Sequence, residues 1–138
     1  MKKGLLLVLA AVSLGMSSAY AAGPREDVFK GKLFPPNVIL EHKGELDLSK
    51  EQFTAIRAAV VDVQAGVAEH EWDIAEAYQA LMLELDKRPI DADRVLEHVD
   101  AALLAENQVK KKQVNMLIRL KNLLTAEQIS YLESVHPK

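Results

Sequence analysis

Apolar residues recur in alternating steps of three and four along two long stretches of the chain. Such steps place side chains on one face of an α-helix, and a face of this kind packs against a partner helix. We call each set of repeating positions a seam. The first seam consists of Phe53, Ile56, Val60, Val63, Val67, His70, Ile74, Ala77 and Leu81. The second consists of Val95, Val99, Ala102, Glu106, Val109, Gln113, Met116, Leu120 and Leu123. The pattern predicts two long helices that pair with each other.

Capping signals predict where the helices begin. Ser49 and Thr125 each precede a glutamine by three residues, Gln52 and Gln128, which is the spacing of a capping box. Asp91 is the predicted N-cap of the second long helix. Loss of the Thr125 hydroxyl should cost about 1 kcal/mol of stability. Loss of the Gln128 amide is expected to cost less.

Proline and glycine predict the remaining boundaries. Pro36 suits the first position of a short helix, and Gly44 is expected to end that helix. Pro89 ends the first long helix, because the residue before a proline is disfavoured in the helical conformation. A last short helix is expected to end before His136. The predicted fold class is all-α: a long antiparallel helical hairpin with short flanking N- and C-terminal helices.

The turn at residues 87–90 also fixes which seam positions face each other. Counting outwards from the turn pairs Leu81 with Val95 and continues to Phe53 with Leu123. The same count places His70 opposite Glu106, the two charged or ionisable positions of the seams. A buried imidazole and a buried carboxylate stabilise each other when they pair. We therefore predict that these two side chains lie within hydrogen-bonding or one-water reach.

The first 21 residues have the pattern of a secretory signal peptide. Lys2 and Lys3 precede an apolar run at residues 5–14, and Ala19 and Ala21 supply a small-x-small cleavage signal. The run is shorter than the roughly 20 residues that span a bilayer. Cleavage after Ala21 or Ala22 predicts a periplasmic protein without stable membrane insertion; an uncleaved anchor is the alternative. The predicted organisation is a signal peptide at 1–21, a flexible segment at 22–35 and a single helical domain at 36–138.

Composition narrows the function classes. The 138 residues carry a net charge of −3, which argues against nucleic acid as the main partner, and they include no cysteine. Disulfides, thiolate metal sites and a cysteine nucleophile are therefore excluded. The sequence contains no glycine loop that would cradle phosphates and no arrangement typical of a catalytic triad. We do not expect an enzyme.

A second apolar stripe runs along the first long helix, rotated by about 100° from the seam. Its members are Val61, Ala65, Ala68, Trp72, Ala75 and Met82. A two-helix hairpin buries one stripe, so the second needs another surface to cover it. The short end helices are one candidate. A client protein or a second copy of the chain is the other, and Met82 suits such a face because methionine repacks against varied partners.

Two copies of one motif bracket the hairpin. Leu48, Ser49 and Gln52 form the first copy, and Leu124, Thr125 and Gln128 form the second. Behind a signal peptide, this arrangement resembles the periplasmic Spy/CpxP family, which carries paired LTxxQ motifs, and its relatives of the CnrX and ZraP type. The resemblance covers residues 36–135, and Ser49 replaces the usual threonine while keeping the hydroxyl.

The resemblance implies a four-helix protomer that dimerises antiparallel into a curved cradle. Spy-like members are ATP-independent chaperones that hold unfolded envelope proteins on the concave face. CpxP-like members restrain an envelope-stress sensor kinase. Metal-type members bind zinc, nickel or cobalt through histidines and carboxylates. The expected function is a chaperone or stress-response accessory protein that requires no cofactor.

Metal binding or metal sensing is the first alternative, and an adaptor that restrains a sensor kinase is the second. The chain has four histidines, at positions 42, 70, 98 and 136, and no two stand at the spacing of a helical metal motif. His42, His70 and Glu106 are the weak candidates for a divalent zinc, nickel or cobalt site. No metal ligand is assigned from the sequence.

Overall fold

A computed structural model describes residues 28–137, so the predicted signal peptide and residues 22–27 lie outside the described part. Within that part the protein has five helices and no strand. They are α1 (Pro36–Glu41), α2 (Lys43–Leu46), α3 (Lys50–Leu85), α4 (Ala92–Asn122) and α5 (Ala126–Val135). None of the helices in residues 28–137 has both the length and the apolar character that a membrane span requires.

The long helices α3 and α4 pack against each other as the predicted hairpin. Helix α3 begins where the Ser49 hydroxyl accepts a hydrogen bond from the Gln52 N–H at 3.0 Å. Helix α4 begins after Asp91, whose carboxylate accepts from the N–H groups of Asp93 and Arg94. These side chains satisfy N–H groups that have no partner within the helix. The predicted N-caps are therefore confirmed.

The short N-terminal helix differs from its prediction at its end. Helix α1 begins at Pro36 as expected, but it ends at Glu41. Gly44 does not end a helix and lies inside α2. The left-handed turn falls instead at Asp47, with φ 48° and ψ 51°. Aspartate tolerates this conformation better than most residues because its short polar side chain can hydrogen-bond locally. The prediction that Gly44 ends the helix is wrong.

The core lies at the open end of the hairpin, where the short helices meet α3 and α4. We call this end the base. Its buried residues are Phe34, Ile39, Leu46, Ile56, Ala59, Leu120, Leu124 and Leu132. Ile56 and Leu120, which the seam count predicts to face each other, both belong to this cluster. Phe34 is only 2% exposed although it lies in the segment that was expected to be flexible.

Towards the turn the hairpin has a much smaller buried interior. We call residues 61–115 the arm. In the described part of the chain, its only buried residues are Glu84, Ala102 and Ala105. Two helices alone bury one narrow strip of each other, so most of the arm's remaining surface faces outwards.

Candidate functional site

The two copies of the motif meet in the base through their glutamines. Gln52 Nε2 donates to Gln128 Oε1 at 2.7 Å, and Gln128 Nε2 donates to Gln52 Oε1 at 3.1 Å. Each Nε2 also donates to a backbone carbonyl: Gln52 to Leu123 at 2.8 Å and Gln128 to Leu46 at 3.0 Å. The motif therefore links the start of α3 to the segment before α5, and the start of α5 to the segment before α3.

The same glutamines also complete the capping boxes. The Oε1 atom of Gln128 accepts from the Thr125 N–H at 2.8 Å, and that of Gln52 accepts from the Ser49 N–H at 3.0 Å. Gln128 is 9% exposed, whereas Thr125 lies at the surface. Because Gln128 serves both its own helix and the tertiary structure, we now expect its loss to cost more stability than the loss of the Thr125 hydroxyl.

A second contact in the base joins two histidines. The Nε2 atoms of His42 and His136 lie 3.1 Å apart, and both side chains are half-buried. The ring of Tyr131 meets His42 edge-on, with centroids 5.6 Å apart. Of the weak metal candidates only His42 has another imidazole as a neighbour, and that neighbour lies 94 positions away in the chain. Nothing in the sequence around either histidine predicts this pairing.

The predicted partnership of His70 and Glu106 is wrong as a direct contact, because each side chain has a different partner. Glu106 accepts a hydrogen bond from the Tyr78 hydroxyl at 2.8 Å. His70 Nδ1 lies 3.7 Å from Asp73 Oδ2 on its own helix. Throughout residues 28–137, no three histidine or carboxylate side chains come together in a group that could hold a metal ion.

The reason is the direction in which helical side chains lean. The Cα–Cβ bond tilts towards the N-terminus of its own helix, so side chains at directly facing positions of an antiparallel pair diverge. Side chains of α3 lean away from the turn and those of α4 lean towards it, so an α3 residue converges with an α4 residue that lies further from the turn than its own facing position. Tyr78 with Glu106 and Asp62 with Arg119 (3.3 Å) both follow this rule. The contacts of these long side chains are therefore displaced from the facing positions that the seam count predicts.

Glu84, near the turn, is a charged residue that the sequence analysis missed. Its carboxylate is buried, with Lys87 Nζ at 3.0 Å and Arg94 Nε at 3.5 Å from Oε1. The hydrogen bond from Lys87, with the positive charges of Lys87, Arg94 and His98, lowers the pKa of Glu84 against the opposing effect of burial. The sequence does indicate that Glu84 faces α4, because it follows Leu81 by three residues and so continues the seam. This cluster fixes the end of the arm.

The predicted client or dimer surface is exposed on the arm. Trp72 is 75% exposed, Met82 61% and Val61 55%, and Ala68 and Ala75 are also exposed. The end helices pack at the base and leave this stripe uncovered. The alternative in which they bury it is therefore wrong for the single described chain.

Further large apolar side chains are exposed on the arm. Leu96, Leu103 and Leu104 are 57%, 48% and 64% exposed, and Leu83 of α3 is 63% exposed. Leu96 and Leu103 directly follow seam positions 95 and 102, so they flank the seam. Sequence reasoning considered only the seam of α4 and did not identify them.

No family model, curated protein or solved structure matches the chain. Function is therefore inferred from the chain's own residues. The motif glutamines and the histidine pair hold the base together, while the arm displays apolar side chains. An exposed apolar face supported by a closed base can bind other apolar surfaces.

Proposed function

We propose that the protein is an exported, ATP-independent chaperone or envelope-stress accessory protein that binds unfolded proteins on the apolar face of its arm. The exposure of Trp72, Met82 and Val61 along one helix carries this proposal. Exposed apolar patches on soluble proteins mark sites of interaction. A tryptophan that is 75% exposed gains substantially from being covered by a partner.

The chemistry of this face suits unfolded clients better than one fixed partner. Methionine and leucine side chains repack against differing surfaces, and promiscuous binders use such residues. Exposed charged residues of both signs lie on the same arm, among them Glu69, Glu76, Lys110 and Lys111. They favour encounter with charged, soluble clients more than they add affinity. An unfolded envelope protein offers both apolar segments and charges.

Two sequence features support the same proposal. The paired motifs resemble those of the Spy/CpxP family, and the glutamine network gives both copies a physical reason to occur together. The N-terminal pattern of charges, apolar run and small residues is that of an export signal. An exported protein has no ready supply of ATP, so a binding surface that does not require ATP hydrolysis is suited to the periplasm. Homodimerisation through part of the same face belongs to this proposal.

Suppression of aggregation tests the proposal. The mature protein should delay aggregation of a chemically unfolded client in the absence of ATP, equally with and without EDTA. The double variant Trp72→Ser/Met82→Ser should lose most of this effect. The matched control is Gln64→Ser/Gln79→Ser, which changes two exposed polar residues of the same helix. This control should retain full suppression.

Two results would contradict the proposal. One is wild-type protein that leaves client aggregation unchanged at any ratio. The other is full suppression by the Trp72→Ser/Met82→Ser variant. If sedimentation then shows that this variant has changed from dimer to monomer, the face is an interface between copies of the chain rather than a client site.

A further inference from the structure

The two histidines of the base approach each other through their nitrogen edges. The Nε2 atoms of His42 and His136 are 3.1 Å apart, and the ring centroids are 5.3 Å apart with the planes at 72°. The distance between the ring centroids exceeds the distance between the Nε2 atoms by close to the sum of two ring radii. The rings therefore meet with the two Nε2 atoms facing each other, and the N–H of one ring points at the lone pair of the other.

We propose that His42 and His136 form a binding site for a divalent transition-metal ion that clamps the last helix onto the N-terminal helices. Metal–imidazole bonds are about 2.0–2.1 Å long, so nitrogens 3.1 Å apart subtend roughly 100° at a shared ion. This angle lies between the right angle of an octahedral or square-planar site and the tetrahedral angle. The spacing of the two nitrogens thus already fits two ligands of one metal.

Binding needs a small rearrangement and no net loss of a proton. Each imidazole ligates as a neutral ring with a free lone pair on Nε2. The ring that now holds its proton on Nε2 must carry it on Nδ1 instead. Both rings then turn slightly so that the two lone pairs converge on the ion. Half-burial of the two side chains leaves room for water to complete the coordination.

The ligand set determines which ions fit. Imidazole nitrogens suit copper, nickel and zinc, whereas magnesium and calcium prefer oxygen ligands. Among the described residues no carboxylate joins the two histidines to make a group of three. Affinity should therefore follow the general order for nitrogen ligands, with Cu²⁺ above Ni²⁺ and Zn²⁺. Tyr131, which packs edge-on against His42, holds that ring in place.

This site is separate from the proposed client surface. His42 and His136 lie in the base, beside the ends of α1 and α5, whereas Trp72 and Met82 lie on the arm. Metal binding tests the His42–His136 site alone, and client binding in EDTA tests the apolar face of the arm alone. Either can fail without the other.

Thermal unfolding of the untagged protein tests the clamp. Excess Cu²⁺, Ni²⁺ or Zn²⁺ should raise the Tm by several degrees, because a ligand that binds only the folded state stabilises it. EDTA should reverse the rise, and Mg²⁺ should cause none. His42→Ala and His136→Ala should each lose the rise and weaken Cu²⁺ binding by more than about tenfold. The matched controls His70→Ala and His98→Ala remove the other two imidazoles and should keep the full response.

The variant His136→Gln separates a metal site from a structural hydrogen bond. Its amide can still donate to His42 Nε2, so the fold should remain while the metal response is lost. Electron paramagnetic resonance of the Cu²⁺ complex should show coupling to two imidazole nitrogens in the wild type and to one in this variant. A wild type without any metal-induced rise in Tm, or an equal rise in the His42→Ala and His136→Ala variants, would overturn the proposal.

Discussion

Gln52 and Gln128, which are 76 positions apart in the sequence, hold each other's side-chain amides in two reciprocal hydrogen bonds. The arrangement explains why both motif copies use glutamine. Glutamate also serves in a capping box, because its oxygen can accept the N-cap N–H. A carboxylate cannot donate, however, and two carboxylates in this position would repel each other. The pairing of the two side chains thus requires an amide at both positions, whereas the capping box alone would also accept a glutamate.

Gln128→Glu should therefore be strongly destabilising although it preserves the capping box. The variant retains the oxygen that accepts from Thr125 but loses both N–H donors, leaving the carbonyl of Leu46 without this partner. We expect a loss of about 2–3 kcal/mol in the free energy of unfolding, measured by urea denaturation, because a buried polar group is left unpaired. Thr125→Ala, which removes only a cap, should cost about 1 kcal/mol.

The matched control is a double-mutant cycle between Gln52→Ala and Gln128→Ala. Side chains in one hydrogen-bond network show coupling energies of roughly 0.5–3 kcal/mol, so the double variant should lose less than the sum of the single losses. Additive losses, or a Gln128→Glu variant as stable as the wild type, would show that the reciprocal pair does not stabilise the base.

Gly66→Ala should stabilise the protein although Gly66 faces another helix. Glycine inside a helix costs about 1 kcal/mol relative to alanine. An added Cβ would lie 3.2 Å from Cδ and Nζ of Lys112, so that side chain must shift by a few tenths of an ångström. Lys112 is exposed and flexible, which makes the shift easy. We expect a gain of about 0.5–1 kcal/mol by urea denaturation; a loss would show that Lys112 is held against the glycine.

Glu84 should make stability depend on pH in the acid range. Its pKa is lowered in the folded protein, first by the hydrogen bond from Lys87 and then by the surrounding positive charges. The stabilisation is fully present above the ordinary glutamate pKa of about 4.3 and is lost as the pH falls through the lower folded value. Glu84→Gln should therefore flatten the decline of Tm below about pH 5. Glu127→Gln, which changes an exposed carboxylate, should leave the decline nearly unchanged.

Tyr78 should show the opposite dependence at alkaline pH. The hydrogen bond that it donates to Glu106 raises the pKa of its phenol, so this contact stabilises the fold below about pH 10 and is lost as the pH rises further. Glu106→Gln should return the pKa of the phenol towards its ordinary value. The measurement is the ultraviolet titration of the wild type and of Glu106→Gln, each corrected with a Tyr78→Phe variant. Identical corrected titrations would exclude the contact.

The starts of α3, α4 and α5 could be predicted from the sequence because they are decided locally. Ser49, Asp91 and Thr125 each satisfy N–H groups within three residues of themselves, and the steps of three and four select the seam. The left-handed residue is Asp47 and not Gly44, although both residue types tolerate this conformation, and Leu46 immediately before it is buried in the core.

The contacts between distant side chains could not be predicted in the same way. The seam count places His70 opposite Glu106, but helical side chains lean along the axis and Glu106 accepts its hydrogen bond from Tyr78 instead. The approach of His136 to His42 depends on how α5 folds back onto the base, which no spacing in the sequence encodes. Exposure of Trp72 was predictable because a two-helix hairpin covers one stripe only.

Fluorescence of Trp72 tests the client surface most directly, because it is the only tryptophan in the chain and is 75% exposed. The protein is titrated, at a fixed concentration and in EDTA, with a tryptophan-free client in its unfolded and in its native form. If the arm binds unfolded proteins, the emission moves to shorter wavelength and acrylamide quenching falls with the unfolded client only. Emission and quenching that stay unchanged with a client whose aggregation the protein suppresses would contradict the account, because binding would then occur away from Trp72.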